Sequence, residues 1–269
     1  MSIHQIYGLF GDDPNSMSKT FRTSSLLWKT QAEMNDMQYR LWTKSECDCL
    51  IQTYYPEFWE MYENVREKVQ KVDIVRFIIL HRYGGIYVDL DVFPNFKKFR
   101  VKEIKENPPK QKRMGFAVQV RDGKPFYEME FIHAEEGCEA LLDFLRYVKT
   151  QIEEKSSMEI YNKWRWRFVY HTTGPRALTR WIKKVFRNEA NSGPNGEFIP
   201  WSHEFNVALV TYSCNVPSHT KGADHVLTSI FDENEIISLP STSYIENRNS
   251  AKTHNDLMLY NYFHLCLQV

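Results

Sequence analysis

The spacing of apolar residues changes along the first 95 positions, and these changes predict alternating strands and helices. His4–Phe10 is a short, mostly apolar run that ends at a glycine, and Tyr39–Trp42 alternates; both patterns indicate strands. Residues 22–34 are predicted to be helical, and Glu57–Tyr83 repeats apolar residues at helical spacing. The β-branched and aromatic run Ile86–Phe93 predicts the next strand. This order is typical of an α/β fold with a mostly parallel sheet.

The second half of the chain predicts a hairpin and further helices. Residues 97–113 are basic and contain two prolines, which indicates a solvated connection. The strand-like runs Gly115–Val120 and Phe126–Ile132 flank Asp122-Gly123, a pair typical of a tight hairpin turn. A helix is predicted near Cys138–Glu154.

Composition narrows the class of protein and its compartment. The chain has 269 residues, 14% of them aromatic, with 34 basic and 34 acidic residues. The aromatic content excludes a disordered chain, and zero net charge argues against a dedicated nucleic-acid binder. The longest aliphatic stretch, Phe77–Leu80, is far too short to cross a bilayer, and the first residues lack signal-peptide features. We therefore expect a cytoplasmic protein, whose scattered cysteines are free thiols: Cys47, Cys49, Cys138, Cys214 and Cys266.

Two carboxylates, Asp89 and Asp91, end the apolar run that begins at Ile86. On a continuous strand they would lie on the same side, about 6.6 Å apart. Two like charges at such a place need a partner, and hard oxygen ligands suit Mg²⁺ or Mn²⁺. Because ligands bind at the carboxyl ends of parallel strands, the pair predicts a cation that binds a diphosphate.

Asp73 and Arg76 lie three residues apart on the helix that precedes this strand, and so share a helix face. Gly84-Gly85 is expected to end that helix, since glycine adopts the left-handed conformation that follows a helix. Two interpretations stay open for Asp73 and Arg76: an intrahelical ion pair, or a pair that binds a polyhydroxylated ligand.

These residues resemble a known family. D-x-x-R followed by Y-G-G-I-Y-x-D-x-D is similar to the signature of sugar-nucleotide glycosyltransferases with a DXD motif, among them capsular-polysaccharide, α-mannosyl and α-galactosyl transferases and the glucosylating bacterial toxins. Further matches occur in the same order: Ile3-His4-Gln5-Ile6-Tyr7-Gly8, Trp28, Tyr39-Arg40-Leu41-Trp42 and Thr173-Gly174-Pro175. The resemblance is dense over residues 3–95 and thin afterwards.

The resemblance implies a GT-A fold in one domain, 1–269. Its donor-binding half would be 1–95 and its acceptor-side half 114–269. It also implies a metal-dependent retaining transfer of a hexose from a nucleotide sugar to a glycan or other hydroxyl acceptor. A UDP-sugar is favoured over a GDP-sugar, and Mn²⁺ or Mg²⁺ would be the cofactor.

The family pattern also implies roles for single residues. Tyr7 would flank the nucleotide base, and Asp73 and Arg76 would hold the donor sugar and phosphate. Gly85 and Tyr87 would belong to the donor site. Asp89 would contact ribose and a metal-bound water, and Asp91 would ligate the metal directly.

Some positions depart from the family pattern and stay open. Either His264 or His254 would complete the metal site, or neither does. Glu128 and Glu130 occupy a region where relatives often have asparagine. For the basic and aromatic segment Trp164–Phe168 a core or edge strand competes with a platform for the acceptor.

Two other functions compete with a transferase. Dehalogenase-type phosphotransferases also use D-x-D, but they need Thr or Val where this chain has Phe93. A non-catalytic sugar-nucleotide or glycan-binding module with the same fold is the main alternative.

Overall fold

A computed structural model describes residues 1–11, 13, 16–94, 112–121, 124–186, 191–192, 198–199, 201–202, 205, 207–215 and 236–238. The helices are α1 Lys19–Met34, α2 Lys44–Tyr54, α3 Pro56–Glu63, α4 Val69–Tyr83, α5 Glu139–Lys155, α6 Glu159–Lys163, α7 Arg165–Thr172 and α8 Pro175–Val185. The strands are β1 Ser2–Ile6, β2 Gln38–Trp42, β3 Gly85–Val88, β4 Val92–Pro94, β5 Lys112–Arg121, β6 Lys124–Ala134, β7 Asn191–Ser192, β8 Phe198–Ile199, β9 Trp201–Ser202, β10 Val207–Asn215 and β11 Ile236–Ser238.

The described strands form a nine-stranded sheet in the order β2-β1-β3-β6-β5-β10-β11-β4, with β9 beside β10. The α/β class is confirmed, and the architecture is consistent with a GT-A fold. The sheet is mixed: most of its strands run in one direction, and the three strands antiparallel to their neighbours are β4, β6 and β9. Since β3 pairs with β6 and β4 pairs with β11, the sheet is continuous across both predicted halves.

Helices cover both faces of the sheet. On one face α1 packs through Trp28 against Ile86, Val88 and Phe131. On the other face the side chains of α2 to α5 and α8 form the larger core, to which Tyr87 belongs. The alternation along β3 therefore separates its neighbours onto opposite faces, as the period of two predicts.

The predicted helix Glu57–Tyr83 is in fact two helices, α3 and α4, separated by residues 64–68. In the break, the Glu67 carboxylate accepts hydrogen bonds from Arg165, and the Glu67 N–H donates to Gln70 Oε1 (3.0 Å). The tertiary ion pair and this local cap outweigh the continuous helical spacing of the sequence.

The predicted strand Ile86–Phe93 is also two elements. β3 ends at Val88, and a turn follows in which the Val92 N–H donates to the Asp89 carbonyl (3.2 Å). The period-two argument therefore does not apply to Asp89 and Asp91, which lie on this turn. The strand expected at Trp164–Phe168 is likewise wrong, since residues from Arg165 onwards form α7.

Other predictions are confirmed with small shifts of their bounds. The hairpin is formed by β5 and β6, with Arg121 opposite Lys124. Both Gly84 and Gly85 have positive φ (59° and 96°) directly after α4. Cys47, Cys49 and Cys138 are free thiols. Within the described part of the chain, no helix combines the length and apolar character needed to cross a bilayer.

Candidate active site

The candidate site is the turn Asp89–Asp91 at the carboxyl end of β3, which lies beside the carboxyl end of β1. The Asp89 N–H continues the ladder with β6 by donating to the Glu130 carbonyl (2.8 Å). The Asp89 side chain is 26% exposed, so the turn opens to solvent while its backbone is held. Asp89 and Asp91 thus lie at the sheet edge where the sequence predicted them, although on a turn.

Arg76 lies beneath this turn, and its side chain is only 5% exposed. Its guanidinium donates to Asp73 Oδ1 (3.1 Å) and to the Met129 carbonyl (2.5 Å), and Nη2 is 3.6 Å from Asp89 Oδ1. Cζ is 4.9 Å from the ring centre of Tyr87. The sequence left open an ion pair or a ligand-binding pair; the structure contains the ion pair and joins it to the acidic turn.

The Met129 carbonyl reaches Arg76 at an irregularity of the sheet. The pairing of β5 with β6 shifts between Phe116 and Ala117, whose partners are Ile132 and Glu128. Such irregularities free backbone groups from the ladder. No sequence signal indicated this acceptor.

Asp73 is buried, and each of its oxygens has a hydrogen-bond donor. Thr173 Oγ1 donates to Asp73 Oδ2 (2.7 Å), which gives the Thr-Gly-Pro segment a defined role. Burial raises the pKa of Asp73 to about 6, while the Arg76 charge and the Thr173 hydrogen bond oppose that rise. At neutral pH Asp73 is therefore mainly ionised, and its charge depends on these two partners.

Tyr87 is fully buried and donates its hydroxyl hydrogen to Asp89 Oδ1 (2.6 Å). Burial raises the pKa of Tyr87 well above its ordinary value, so the phenol remains a donor. Tyr7 directly follows β1 at the same sheet edge and packs edge-on against Phe21. Tyr87 therefore orients Asp89, and Tyr7 stands at the correct edge for its predicted role.

Asp91 lies in a strongly acidic environment. Burial, and then the negative charges of Asp89 and Glu130, raise the pKa of Asp91 well above its ordinary value. Clustered carboxylates of this kind favour a hard cation, whose charge relieves their repulsion. The donor set therefore fits Mg²⁺ or Mn²⁺.

The described residues do not themselves complete a metal site. Among them, no three His, Cys, Asp or Glu side chains are gathered as ligands. His264 and His254, the predicted alternatives for a further ligand, lie outside the described residues. Asp89 and Asp91 would hold the ion together with oxygens of a diphosphate.

A hydrogen-bond network that the sequence did not predict fixes the acidic turn. Gln5 Nε2 donates to the Asp89 carbonyl (3.3 Å). At the other end of the turn the Val92 carbonyl accepts from Ser24 Oγ (2.7 Å) and Trp28 Nε1 (2.8 Å). Gln5 and Trp28 are family landmarks, and the structure explains them as anchors of the turn rather than as ligands.

A second anchor holds the opposite end of β3. Trp42 Nε1 can only donate, so His4 Nδ1 accepts its hydrogen (3.2 Å), and His4 Nε2 donates to the Gly84 carbonyl (3.0 Å). The contact with Trp42 requires neutral imidazole, because a protonated Nδ1 cannot accept, and burial lowers the pKa of His4 to about 4. The landmarks His4 and Trp42 thus connect β1 and β2 to Gly84, which directly follows α4.

Gly85, which is predicted to belong to the donor site, lies away from the acidic turn. It begins β3, at the opposite end of the strand from Asp89, about 13 Å away. Its φ is 96°, and a Cβ there would lie 2.1 Å from the Ser2 carbonyl oxygen. Glycine is required at this position because the backbones of β1 and β3 approach closely.

Part of this chain is similar to known proteins. Residues 20–110 match the model of the glycosyltransferase sugar-binding region containing the DXD motif. Inositol phosphoceramide mannosyltransferase 3 of Schizosaccharomyces pombe is 44% identical over 57 residues, which are 21% of this chain and 16% of that protein. Mannosyl phosphorylinositol ceramide synthase SUR1 of Saccharomyces cerevisiae is 32% identical over 85 residues, 29% of this chain and 22% of that protein.

The matched segments therefore span about a fifth or less of the length of these curated relatives. Among solved structures, PaToxG glycosyltransferase superposes with a TM-score of 0.47 and 14% identity, over 68% of each chain.

Proposed function

We propose that this chain belongs to the family of glycosyltransferases whose sugar-binding region contains a DXD motif, since residues 20–110 match the model of that region. We further propose that it transfers a hexose from a nucleotide sugar to a hydroxyl acceptor, with retention of configuration. The observation that carries the proposal is the solvent-open acidic turn Asp89–Asp91 above the buried Asp73–Arg76 pair. Asp91 and Asp89 would hold Mn²⁺ or Mg²⁺. When bound, the ion would act as a Lewis acid that neutralises the diphosphate leaving group.

The residues around the turn contribute position and charge. Arg76 is nearly inaccessible, so we infer that it positions Asp73 and Asp89 rather than binding phosphate itself. Asp73 is almost as inaccessible, so we infer that it holds Arg76 and contributes its charge beneath the turn. A retaining front-face transfer needs no protein base, because the leaving phosphate oxygen can take the acceptor proton. Positioning and charge stabilisation are then the main catalytic contributions of the protein.

The nucleotide and the sugar follow from different observations. The spacing of D-x-x-R and Y-x-D-x-D resembles the glucosylating toxins and favours UDP. The names of the curated relatives instead favour mannose as the transferred hexose. The nucleotide is therefore best identified first, and the sugar on that nucleotide second.

Thermal unfolding with nucleotides tests the donor site. We expect UDP with Mn²⁺ to raise Tm, whereas GDP, CMP and TDP do not, and EDTA should remove the shift. Ligand at about 100 times its Kd stabilises by about 2.7 kcal/mol, or several degrees for a chain of this size. A shift with GDP alone would replace UDP by GDP as the donor nucleotide. No metal-dependent shift with any nucleotide would contradict the proposal.

Turnover distinguishes a transferase from a non-catalytic binding module. If nucleotides bind but no sugar is transferred or hydrolysed from the matching nucleotide sugar, the binding module is the better description. Where product forms, the configuration of its anomeric carbon, measured by NMR, tests retention.

Replacing Thr173 by valine should lower kcat/KM about 10- to 150-fold. The substitution removes a hydrogen bond to a charged group, worth about 1.5–3 kcal/mol. Because that bond lowers the pKa of Asp73 from a value already raised to about 6, its loss should move the acid limb of the kcat/KM profile to higher pH. Thr173→Ser keeps the hydroxyl and should keep both the rate and the limb. An unchanged profile in Thr173→Val would exclude Asp73 as the group that titrates.

A further inference from the structure

Residues 155–186 concentrate positive charge in a chain whose net charge is zero. This segment contains eight Lys and Arg residues and one acidic residue, Glu159. Two of the eight are accounted for inside the protein: Lys155 is buried, and Arg165 pairs with Glu67. The remaining six are exposed: Lys163, Arg167, Arg176, Arg180, Lys183 and Lys184.

Apolar side chains are exposed within the same segment. None of the residues of α6 is buried. Ile160 on α6 is 48% exposed, and Met158 just before it is 46% exposed. Two tryptophans that are only partly buried follow, and Arg167 Cζ lies 5.8 Å and 5.2 Å from the ring centres of Trp164 and Trp166. The α6 surface is defined here as Met158, Ile160, Lys163, Trp164, Trp166 and Arg167.

The α6 surface lies at the active-site end of the sheet. Asn162 Oδ1 accepts a hydrogen bond from Arg66 (3.1 Å), and Glu67 binds Arg165. Arg66 and Glu67 lie just before α4, which begins at Val69. Asp73 lies about 6 Å from Val69 along the axis of this helix. The surface is therefore close to the mouth of the donor site.

We propose that the α6 surface binds an anionic lipid bilayer and holds the active-site edge against it. Aliphatic side chains such as Ile160 gain nothing from a soluble sugar or a phosphate, but they gain from leaving water at the acyl boundary. Tryptophan is enriched at that boundary, and Lys and Arg keep their charges among the headgroups. Three exposed acids flank the surface, Glu153, Glu154 and Glu159, against the six exposed cations of residues 155–186.

A consequence for the substrate rests on the proposed function. An active-site edge held against a bilayer would meet acceptors whose hydroxyl groups belong to membrane components. The binding itself needs neither donor nor metal and can be tested alone.

Co-sedimentation of the full chain with lipid vesicles tests the binding. We expect binding to phosphatidylcholine vesicles that contain about one-third phosphatidylserine, and little binding to pure phosphatidylcholine. Each cation near such a surface contributes about fivefold to the partition coefficient, so Lys163→Glu with Arg167→Glu should lower it at least tenfold. Ile160→Asp should lower it several-fold even at low salt, where the charge attraction is strongest.

Matched substitutions at the other end of the sheet provide the control. Met34 is 69% exposed at the end of α1, and Lys29 is exposed on the same helix. Met34→Asp replaces an exposed apolar side chain by an acid, as Ile160→Asp does, and Lys29→Glu reverses a charge, as Lys163→Glu does. Both control variants should leave vesicle binding unchanged. Equal losses in these variants would overturn the assignment to the α6 surface.

The remaining outcomes separate this inference from the proposed function. A nucleotide-dependent Tm shift without vesicle binding overturns the inference and leaves the donor site intact. Vesicle binding without any nucleotide shift supports the inference while contradicting the donor site. Binding to heparin but not to anionic vesicles would mean that the surface recognises a soluble polyanion, and would overturn the proposal. Wild-type Tm in each variant excludes unfolding as the cause of lost binding.

Discussion

Asp91→Asn should reduce kcat/KM about 1,000-fold or more while leaving the protein at least as stable as the wild type. The substitution keeps the size of the side chain and removes one of the two charges that would hold the metal. A metal ion at a diphosphate leaving group contributes several kcal/mol to the transition state, and about 4 kcal/mol corresponds to a factor of 1,000.

Stability should respond in the opposite direction to activity. The raised pKa of Asp91 means that its ionised form is disfavoured in the folded, metal-free protein, beside Asp89 and Glu130. Above the ordinary pKa of an aspartate, this repulsion lowers the free energy of unfolding, and neutral asparagine removes it. Thermal unfolding with EDTA at pH 7 should therefore give an equal or higher Tm. A structural carboxylate would instead lose stability on substitution.

Asp36→Asn is the matched control for this change. Asp36 is exposed, has a φ of 51° that asparagine tolerates, and precedes β2 at the opposite end of the sheet. Its turnover should equal that of the wild type. If Asp91→Asn kept more than about a tenth of the wild-type rate with the same metal dependence, Asp91 would not be a metal ligand.

Local signals in the sequence were sufficient to locate the candidate site. Three features near the site each depend on only a few neighbouring residues. They are the helical spacing before Tyr83, the two glycines after it, and the β-branched run that ends in Asp89. Together they predicted a helix, a stop and a strand whose end carries the carboxylates, and the structure has these in that order. Helical spacing had already singled out Asp73 and Arg76, and the family resemblance added their role in the donor site; the structure joins both residues to the turn.

What the sequence did not predict depends on contacts between distant residues. β4 separates from β3 because it pairs with β11, over 140 residues later. The predicted long helix is divided in two where Glu67 binds Arg165. The alternation of Trp and Arg after residue 163 indicated a strand, although the residues from Arg165 onwards belong to a helix. That helix buries Phe168, Val169 and Thr172, a helical spacing that the period-two pattern obscures.

Gly85→Ala should lower the free energy of unfolding by about 2–6 kcal/mol. At a φ of 96°, alanine is strained by about 1–3 kcal/mol. A Cβ would also lie 2.1 Å from the Ser2 carbonyl oxygen, which is backbone and cannot rotate away. Overpacking of this kind costs about 1–3 kcal/mol more, since β1 must shift against β3.

Gly11→Ala separates the two contributions, because Gly11 has nearly the same φ, 94°, but nothing within 4 Å of the position of a Cβ. The Gly11→Ala variant should therefore lower the free energy of unfolding only by the cost of the strained backbone conformation, about 1–3 kcal/mol. Urea unfolding of both variants at pH 7 measures the difference between their free energies of unfolding. This difference is the cost of the close approach of β1 and β3 alone. Because Gly85 stands at the far end of β3, Gly85→Ala protein that does fold should keep the nucleotide-dependent Tm shift. Equal losses in the two variants would mean that β1 yields without cost, whereas a folded Gly85→Ala protein without the shift would return Gly85 to the donor site.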